Sequence, residues 1–487
     1  MPFVSAFLLA LLLIGRPALA ETEPPFERTE LRTEHPIVQD TVALRLGEGN
    51  GRHLLVVTSP DDESVRVELF PPSKGGAPGM TPARLELPAD VVAFDTADLG
   101  PDGPQALYFL TPRAVLRFEP ADGSLREITQ VQSIYRRPVP GRLLPVDFMR
   151  DGGDRKPPLL LLPDFDAMRA GTSRLPIAPR TSHEAGPAYR PADVRLADLD
   201  LDGTEDVFLI SDDALHIFHG TGTGFSGVAV VRPLGLGVGP ELREDQLGNL
   251  DQSDLTTRRV IAIEDFDADG LVDLLIESTR RTGVLERETA HELHLGRRGP
   301  QGLTYPTKPT TVIRGDAPLG GVRALDIDGD DRLDLTAGSI DVGIGTIVSA
   351  LLTGTVDFDV RFFRLTENGY AEEPDETRDA RIEFDLSEGS ASIPVLVLAD
   401  VNGDGGKDLI VREDEDVLQV YRYDGSPTLF SDDAQEVEVR LPKDGQLVRR
   451  ADLNGDDADD LILRYEGLDG EGARHRLTLL LGRPARR

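Results

Sequence analysis

The sequence lacks cysteine and tryptophan altogether, and these two absences exclude several classes of site. Without cysteine there is no disulfide framework, no thiolate zinc site, no cysteine nucleophile and no cysteine for lipid anchoring. Without tryptophan, and with aromatic residues at only 5% of the chain, a sugar site built on aromatic stacking is disfavoured. Lysine is scarce as well, since it supplies five of the 52 basic residues and arginine supplies the others.

Positive charge is also in short supply, because 86 acidic residues face 52 basic ones and the formal net charge is -34. A surface this acidic repels phosphate backbones, and non-specific affinity for nucleic acids comes from basic residues. Hydrophobic residues make up 39% of the chain, and their runs are too regular for a disordered acidic protein. We therefore predict a folded protein that does not bind nucleic acid.

No apolar run is long enough to span a bilayer. The run over 3–14 is too short for a membrane helix, and Ala18-Leu19-Ala20 is a small-x-small cleavage site. This pattern predicts a signal peptide over 1–20 that is removed after Ala20, with an uncleaved anchor as the alternative. We expect a secreted or periplasmic protein whose mature chain has no membrane span, in a compartment where calcium is available.

Five segments of the chain share one template, an apolar strand followed by a carboxylate-rich loop and a second apolar strand. They are 196–210, 263–277, 324–338, 398–412 and 450–464. Weaker copies occupy 96–110 and 145–162, and a barely recognisable one occupies 44–57. Copies that recur about every 50 residues or more, with short strands between them, are typical of four-stranded propeller blades.

The repeats predict an all-β fold, with one β-propeller domain over 21–487. Strands before Leu46 and after Asp452 would together form one further blade, which closes the ring and leaves no open sheet edge. We predict eight blades, with seven as the alternative. The one helical pattern lies at 344–352, where apolar residues recur at i, i+3, i+4, i+7 and i+8. It predicts a short amphipathic helix inserted in a blade.

The five acidic loops are numbered in chain order: loop 1 (198–206), loop 2 (265–273), loop 3 (326–334), loop 4 (400–408) and loop 5 (452–460). Side-chain oxygens at loop positions 1, 3, 5 and 9 can converge on one point, and position 7 adds its backbone carbonyl. The predicted ligands are Asp198, Asp200, Asp202, Thr204 and Asp206; Asp265, Asp267, Asp269, Leu271 and Asp273; Asp326, Asp328, Asp330, Arg332 and Asp334; Asp400, Asn402, Asp404, Gly406 and Asp408; and Asp452, Asn454, Asp456, Ala458 and Asp460.

Hard oxygen donors in flexible loops suit calcium, so we predict about five Ca²⁺ sites, with solvated acidic turns as the alternative. Position 6 is glycine in three loops, but Asp331 and Asp457 stand there in loops 3 and 5. An EF-hand is excluded, because its twelfth position requires a bidentate glutamate and these loops have apolar residues there. We predict no metal at Asp98 or Asp147, where acids are too few. Bound calcium should stabilise the fold, and this stabilisation should fade as the pH falls toward ~4.

On these five loops the sequence resembles the VCBS/FG-GAP repeat proteins, whose blades are similar to those of the integrin α-subunit propeller. The segment 196–225 is close to the bacterial repeat pattern throughout. The resemblance covers most of 40–487 and implies a calcium-stapled extracellular propeller used in adhesion or recognition. It implies no defined ligand, so the expected partner is an unidentified protein or glycan, and we expect a monomer.

Other motifs are weaker. His216 with His219, and His291 with His294, have a zinc-like spacing, but residues three apart on a strand face opposite sides. The tripeptide 314–316 is Arg-Gly-Asp, which chance explains in a chain rich in these residues. We therefore predict a non-catalytic binding, adhesion or scaffold protein. The alternatives are a polysaccharide-acting enzyme of the lyase type, and a lectin.

The long insertions 233–258 and 339–355 both occupy strand connections that should lie on the propeller face opposite the acidic loops. Long loops gathered on one face are where binding usually occurs. We predict that a partner docks there, on the helix 344–352 and the acidic segment 241–254.

Overall fold

The structure is a computed structural model. It describes residues 24–484 except for 48, 74–75, 100–102, 132, 134, 136, 146–148, 151–158, 162–165, 170–174, 177–193, 212, 222–223, 240–255, 282–286, 315–318, 340–352, 386–389 and 426–427. The predicted signal peptide, the predicted helix 344–352, Asp147 and the acidic segment 241–254 therefore lie outside the described residues. The described part contains no helix long and apolar enough to cross a membrane.

The fold is all-β, and its sheets form the blades of a propeller. Seven blades are each built from one continuous stretch of chain, and we number them in chain order. Blade 1 has strands Val42–Leu44, His53–Thr58, Arg66–Phe70 and Ala83–Leu85. Blade 2 has Ala93–Asp98, Gln105–Leu110, Ala114–Glu119 and Ser124–Gln130, with Leu144–Pro145 paired in parallel to its first strand. Blade 3 has Met149–Arg150, Leu159–Leu161, Asp166–Arg169 and Leu175–Pro176.

The next four blades follow the same antiparallel order. Blade 4 has Arg195–Ala197, Asp206–Ser211, Ala214–Phe218 and Val230–Pro233. Blade 5 has Thr256–Glu264, Asp273–Arg281, Arg287–His294 and Thr311–Arg314. Blade 6 has Leu319–Leu325, Asp334–Ser339, Thr355–Phe363 and Glu376–Asp385, extended by Ser390–Ser392. Blade 7 has Leu396–Ala399, Asp408–Asp414, Val417–Tyr423 and Phe430–Glu438.

The last sheet, which we name the closing blade, joins the two ends of the chain. Its strands are Val448–Ala451, Asp460–Arg464, Arg476–Gly482 and the N-terminal Phe26–Arg32. The last two pair antiparallel along their whole length, from Phe26 opposite Gly482 to Arg32 opposite Arg476. The prediction that terminal strands close the ring is confirmed.

Short elements sit between the third and fourth strands of blades 4, 5 and 6, where the chain forms two-stranded hairpins that the sequence analysis did not predict. They are Gly220–Thr221 with Gly224–Phe225, Arg297–Gly299 with Gly302–Thr304, and Leu365–Thr366 with Gly369–Tyr370. Three 3-10 helices follow blade 7, at Gly445–Leu447, Gly467–Asp469 and Glu471–His475.

Hydrophobic clusters between neighbouring blades hold the ring together. The second strand of the closing blade is buried over its whole length, as its continuous apolar run predicts. One of its faces packs on blade 7, and the other packs on blade 1 through Ile462 and Leu54. Between blades 6 and 7, Phe362 meets Phe430 edge to face with 5.1 Å between ring centroids. Clusters of this kind also join blade 1 to blade 2, blade 4 to blade 5 and blade 5 to blade 6. The apolar side chains of these blades are thus buried between neighbours, so the connections at the strand ends are free to carry polar residues.

Candidate metal centres

Each acidic loop connects the first and second strands of its blade, in blades 4, 5, 6, 7 and the closing blade. The five loops therefore follow one another around the ring and lie at equivalent positions. Of the two degenerate loops, that of Asp98 belongs to blade 2, and that of Asp147 lies outside the described residues. Asp98 ends the first strand of blade 2, opposite Gln105, and carries too few neighbouring acids in the sequence for a similar loop.

The aspartate at position 9 begins the second strand of each of these blades and is almost completely buried. Its exposed fraction is 1% in loops 1 and 3 and zero in the other three. One carboxylate oxygen, Oδ2, accepts the backbone N–H of loop position 2. The donors are Leu199 at 3.0 Å, Phe266 at 2.7 Å, Ile327 at 3.0 Å, Val401 at 3.3 Å and Leu453 at 2.7 Å.

The other oxygen of position 9, Oδ1, accepts a backbone N–H from the chain just after the third strand or at its end. The donors are Gly220 at 2.8 Å, Gly296 at 2.7 Å, Leu365 at 2.8 Å, Tyr423 at 2.9 Å and Gly482 at 2.8 Å. Position 9 therefore ties the loop, the second strand and the third strand together. The sequence pattern predicts only a ligand role for this residue and does not reveal its structural role.

The aspartate at position 1 holds the loop in its turn. In loop 1, Asp198 accepts the backbone N–H of Asp202 at 3.0 Å and that of Gly203 at 2.8 Å. In loop 2, Asp265 does the same for positions 5 and 6 at 3.1 Å and 2.8 Å. An acid at this position is therefore useful to the turn itself, whether or not a metal is bound.

Positions 4 and 6 of all five loops have a positive φ, which glycine adopts freely and other residues adopt at a cost. At position 4 the residues are Leu201, Ala268, Gly329, Gly403 and Gly455; at position 6 they are Gly203, Gly270, Asp331, Gly405 and Asp457. The two aspartates that replace glycine at position 6 have φ of 68° and 70°. Aspartate tolerates this conformation better than most residues, so loops 3 and 5 keep the same turn.

Acidic oxygens converge in loops 1, 2 and 3. Ligand atoms within 4.8 Å of one another come from positions 1, 3 and 5 in loops 1 and 2, and from positions 1, 3 and 9 in loop 3. In loops 4 and 5, where asparagine stands at position 3, the described residues form no such trio of acidic or histidine ligands. There the asparagine side-chain amide donates to the carboxylate of position 5, from Asn402 to Asp404 at 2.8 Å and from Asn454 to Asp456 at 2.9 Å.

Two carboxylate oxygens at position 3 are buried and have no hydrogen-bond partner, Oδ1 of Asp267 in loop 2 and Oδ1 of Asp328 in loop 3. Burial raises the pKa of both carboxyls, and the neighbouring aspartates of each loop raise it further. A buried anionic oxygen without a donor is costly, and a bound cation would remove that cost. The residues of these two loops therefore fit a cation with oxygen ligands.

Burial also raises the pKa of the position 9 carboxyls, although two backbone N–H groups oppose the shift in loops 2, 3 and 5, and Arg422 with one backbone N–H opposes it in loop 4. The pKa rises to about 7 for Asp273, Asp334 and Asp460 and to about 6 for Asp408. Burial raises the pKa of Asp206 as well. Loss of solvent disfavours the charged form, so these groups hold their protons more tightly than a free aspartate does.

Basic side chains contact predicted side-chain ligands in three of the loops, and none of these contacts was predicted from the sequence. His219 Nδ1 lies 3.0 Å from Asp200 Oδ2 and 3.3 Å from Asp206 Oδ1 in loop 1. Arg422 donates to Asp408 Oδ2 at 2.8 Å in loop 4, and Arg332 pairs with Asp330 in loop 3. His219 and Arg422 each come directly before the residue whose N–H reaches position 9, a position that strand pairing sets and that the sequence alone does not show.

The histidines of the two zinc-like pairs do not share partners. His219 contacts loop 1, and His294 Nδ1 lies 2.9 Å from the carbonyl oxygen of Pro306. His291 is 1% exposed, with Nε2 at 3.6 Å from Glu277 Oε2. The proximity of His291, followed by the hydrogen bond and charge of Arg259, outweighs the opposing effect of burial and lowers the pKa of Glu277 to about 2. These histidines therefore serve separate local contacts.

No family model and no curated protein matches the sequence. Among solved structures, the chain is similar to the V. cholerae biofilm matrix protein Bap1, with 12% identity and a TM-score of 0.34 over 94% of this chain and 91% of that chain. A likeness at this level carries no argument about function. The propeller fold rests on the blades themselves, and the resemblance to VCBS/FG-GAP repeats stays a prediction.

Proposed function

We propose that the chain is an exported, non-catalytic β-propeller whose acidic loops bind calcium, and that it serves in adhesion, recognition or as a scaffold. The observation that carries the metal assignment is the pair of buried, unpartnered oxygens, Oδ1 of Asp267 and Oδ1 of Asp328. They belong to loops whose other side chains also present carboxylates to the same point.

Calcium is the ion proposed because all the side-chain donors of these two loops are carboxylate oxygens. Ca²⁺ takes six to eight such ligands and tolerates irregular geometry, whereas Mg²⁺ requires a tight octahedron. The side chains at positions 1, 3, 5 and 9 would bind the ion, together with the backbone carbonyl of Leu271 in loop 2 or Arg332 in loop 3. The bound ion would neutralise like charges that otherwise repel across each loop.

The metal assignment is tested by thermal melts of the mature protein in excess calcium and in EGTA, with elemental analysis of bound ions. We expect a higher melting temperature in calcium. Asp269→Ala should lose one ion and part of that gain, while Glu373→Ala, which removes an exposed carboxylate outside the loops, should lose neither. Coincident melts in calcium and EGTA, with no calcium in the protein, would show that the loops are acidic turns.

The recognition or scaffold role is tested separately, by a pull-down from the native envelope with and without chelator. A partner retained only with calcium supports the proposal. A glycan array and a lyase assay on uronate polymers test the two alternatives, a lectin and a polysaccharide-acting enzyme. Export is tested by sequencing the N-terminus of the mature protein, which should begin at Glu21.

A further inference from the structure

A cleft of about 250 Å³ lies where the closing blade meets blades 1 and 2. Asp62 borders it from the turn between the second and third strands of blade 1, and Arg142 from the segment before Leu144–Pro145. Glu466 and Arg474 border it from the connection between the second and third strands of the closing blade. Connections of this kind leave the blades on the face opposite the acidic loops, so the cleft is remote from the candidate metal centres.

The cleft is lined by three arginines and two acids, in a chain whose net charge is -34. Arg464 is 6% exposed, and its guanidinium is fixed by Asp40 at 2.9 Å and Glu466 at 2.9 Å, while its Nε–H has no partner. Arg142 and Arg474 form no ion pair with any residue that the structure describes. Two unpaired guanidinium groups beside a buried third make this a site for an anion.

The form of the anion follows from the remaining lining groups. Guanidinium binds planar carboxylates through paired hydrogen bonds. Asp62 and Glu466 would repel a doubly charged phosphate more strongly than a singly charged carboxylate, and they can accept hydrogen bonds from hydroxyl groups. No aromatic residue lines the cleft, so recognition would depend on charge and hydrogen bonds. Its volume is below the roughly 300–1,000 Å³ of drug-sized pockets and suits one sugar ring.

We propose that this cleft binds a single uronic acid residue, whose carboxylate pairs with Arg142 and Arg474 and whose hydroxyls donate to Asp62 and Glu466. The inference deepens the proposed recognition role and rests on it only for the source of the sugar. Because the cleft is distant from the acidic loops, binding of the free sugar should persist in EGTA. Its failure is thus distinguishable from failure of the metal assignment.

The test is a titration of the mature protein with sodium galacturonate in EGTA, in which binding is measured by calorimetry or NMR. We expect weak, saturable binding. The affinity should fall about tenfold or more in Arg142→Gln and in Arg474→Gln, and the methyl ester should bind the unmodified protein with a similar loss of affinity. Arg32→Gln, which changes an exposed arginine outside the cleft, should bind as the unmodified protein does. Melting curves of each variant show whether the fold is intact.

Three results would overturn the inference. One is the absence of any signal with galacturonate up to its solubility limit, and another is equal binding of the acid and its methyl ester. The third is tighter binding of a tripeptide with a free carboxylate that is lost on amidation, since this would assign the cleft to a protein chain terminus. If either glutamine variant fails to fold, Arg142→Lys and Arg474→Lys are measured instead. These variants keep the positive charge, so they should retain more affinity for galacturonate than a variant without that charge.

Discussion

Loops 2 and 4 have the same backbone turn and the same buried aspartate at position 9, but they differ in how their negative charge is balanced. In loop 2 the oxygen Oδ1 of Asp267 is buried without a partner, and none of the described cationic side chains pairs with Asp273. In loop 4 the amide of Asn402 donates to Asp404, and Arg422 donates to Asp408. On the proposed metal assignment, loop 2 would depend on an external cation, whereas loop 4 carries much of its own charge compensation.

This difference separates two roles that the acidic pattern combines. The hydrogen bonds of positions 1 and 9 build the turn and join it to the third strand, and they occur in loop 4 as they do in loop 2. The affinity for a metal would depend instead on whether the position 3 oxygens have hydrogen-bond partners, and on whether a basic side chain contacts the position 9 carboxylate. A repeat can thus keep its shape while its affinity for metal changes.

The largest expected effect comes from removing position 9. Asp273→Ala leaves the buried N–H groups of Phe266 and Gly296 without acceptors, at a cost of roughly 1–3 kcal/mol each. Asp408→Ala leaves the N–H of Tyr423 without this acceptor and removes the ion-pair partner of Arg422, whereas the N–H of Val401 keeps the carbonyl oxygen of Ala399 at 3.1 Å. Urea unfolding in EGTA should show a loss of stability of about 2–5 kcal/mol for both variants.

The matched control is Asp269→Ala at position 5 of loop 2, whose carboxylate accepts the N–H of Leu271 at 2.8 Å in a partly exposed site. It should destabilise the protein little in EGTA, because no buried donor is abandoned. Equal losses for the position 5 and position 9 variants would contradict the structural role assigned to position 9.

The second prediction concerns calcium affinity. It exchanges, between the two loops, the residue that comes directly before the backbone donor to position 9. Arg422→Leu should tighten calcium binding at loop 4 by roughly tenfold, since a unit charge about 5 Å from a divalent ion costs about 1.7 kcal/mol even with water-like screening. Leu295→Arg places a cation at the equivalent position of loop 2 and should weaken that site by a similar factor. A stepwise chelator titration, with the bound ions counted, measures both.

Each lost ion should also remove roughly 2.7 kcal/mol of stability when calcium is at 100 times its Kd. Because Arg422 should make loop 4 the weaker calcium site, Asp404→Ala in loop 4 should lose less stability in calcium than Asp269→Ala in loop 2. If Arg422→Leu leaves the weakest site unchanged, the arginine does not compete with the metal and the comparison between the loops fails.

The third prediction uses the pH dependence of the position 9 carboxyls. Their folded pKa values, about 7 for Asp273 and about 6 for Asp408, lie above the ordinary value of 3.8. Between these limits the folded metal-free protein binds more protons than the unfolded chain, so its stability in EGTA should fall as the pH rises from 4 to 7. Calcium requires the ionised form, so its added stabilisation should grow over the same interval.

The difference between melts in calcium and in EGTA should therefore widen from pH 5 to pH 8, and the calcium effect should fade below about 6–7. The sequence alone predicted fading toward ~4, because it did not reveal the burial that shifts these groups. Asp273→Asn should reduce the pH dependence of this difference near pH 7, and Asp408→Asn should reduce it near pH 6. A gap that is independent of pH would contradict the shifted values.

The sequence predicted the blades and the acidic loops because both are local patterns that recur along the chain. It did not predict the acceptor role of position 9, because the donor lies 14 residues away in loop 1 and 31 in loop 3. It did not predict the contacts of His219 and Arg422 with their loops for the same reason, since strand pairing alone brings them there. The apolar residues at position 4 of loops 1 and 2 gave no hint of a left-handed backbone.

The smallest expected effect concerns that backbone conformation at position 4, where Ala268 has φ of 59° in loop 2 and Gly403 has φ of 68° in loop 4. Ala268 is exposed, so Ala268→Gly removes strain without loss of packing and should stabilise the protein by about 1 kcal/mol. A Cβ at Gly403 would meet no atom closer than 3.7 Å, so Gly403→Ala tests strain alone and should destabilise by a similar amount. Urea unfolding of the two variants in EGTA measures both changes. Effects of the same sign, or a loss of stability on Ala268→Gly, would show that the two loops do not share this turn in solution.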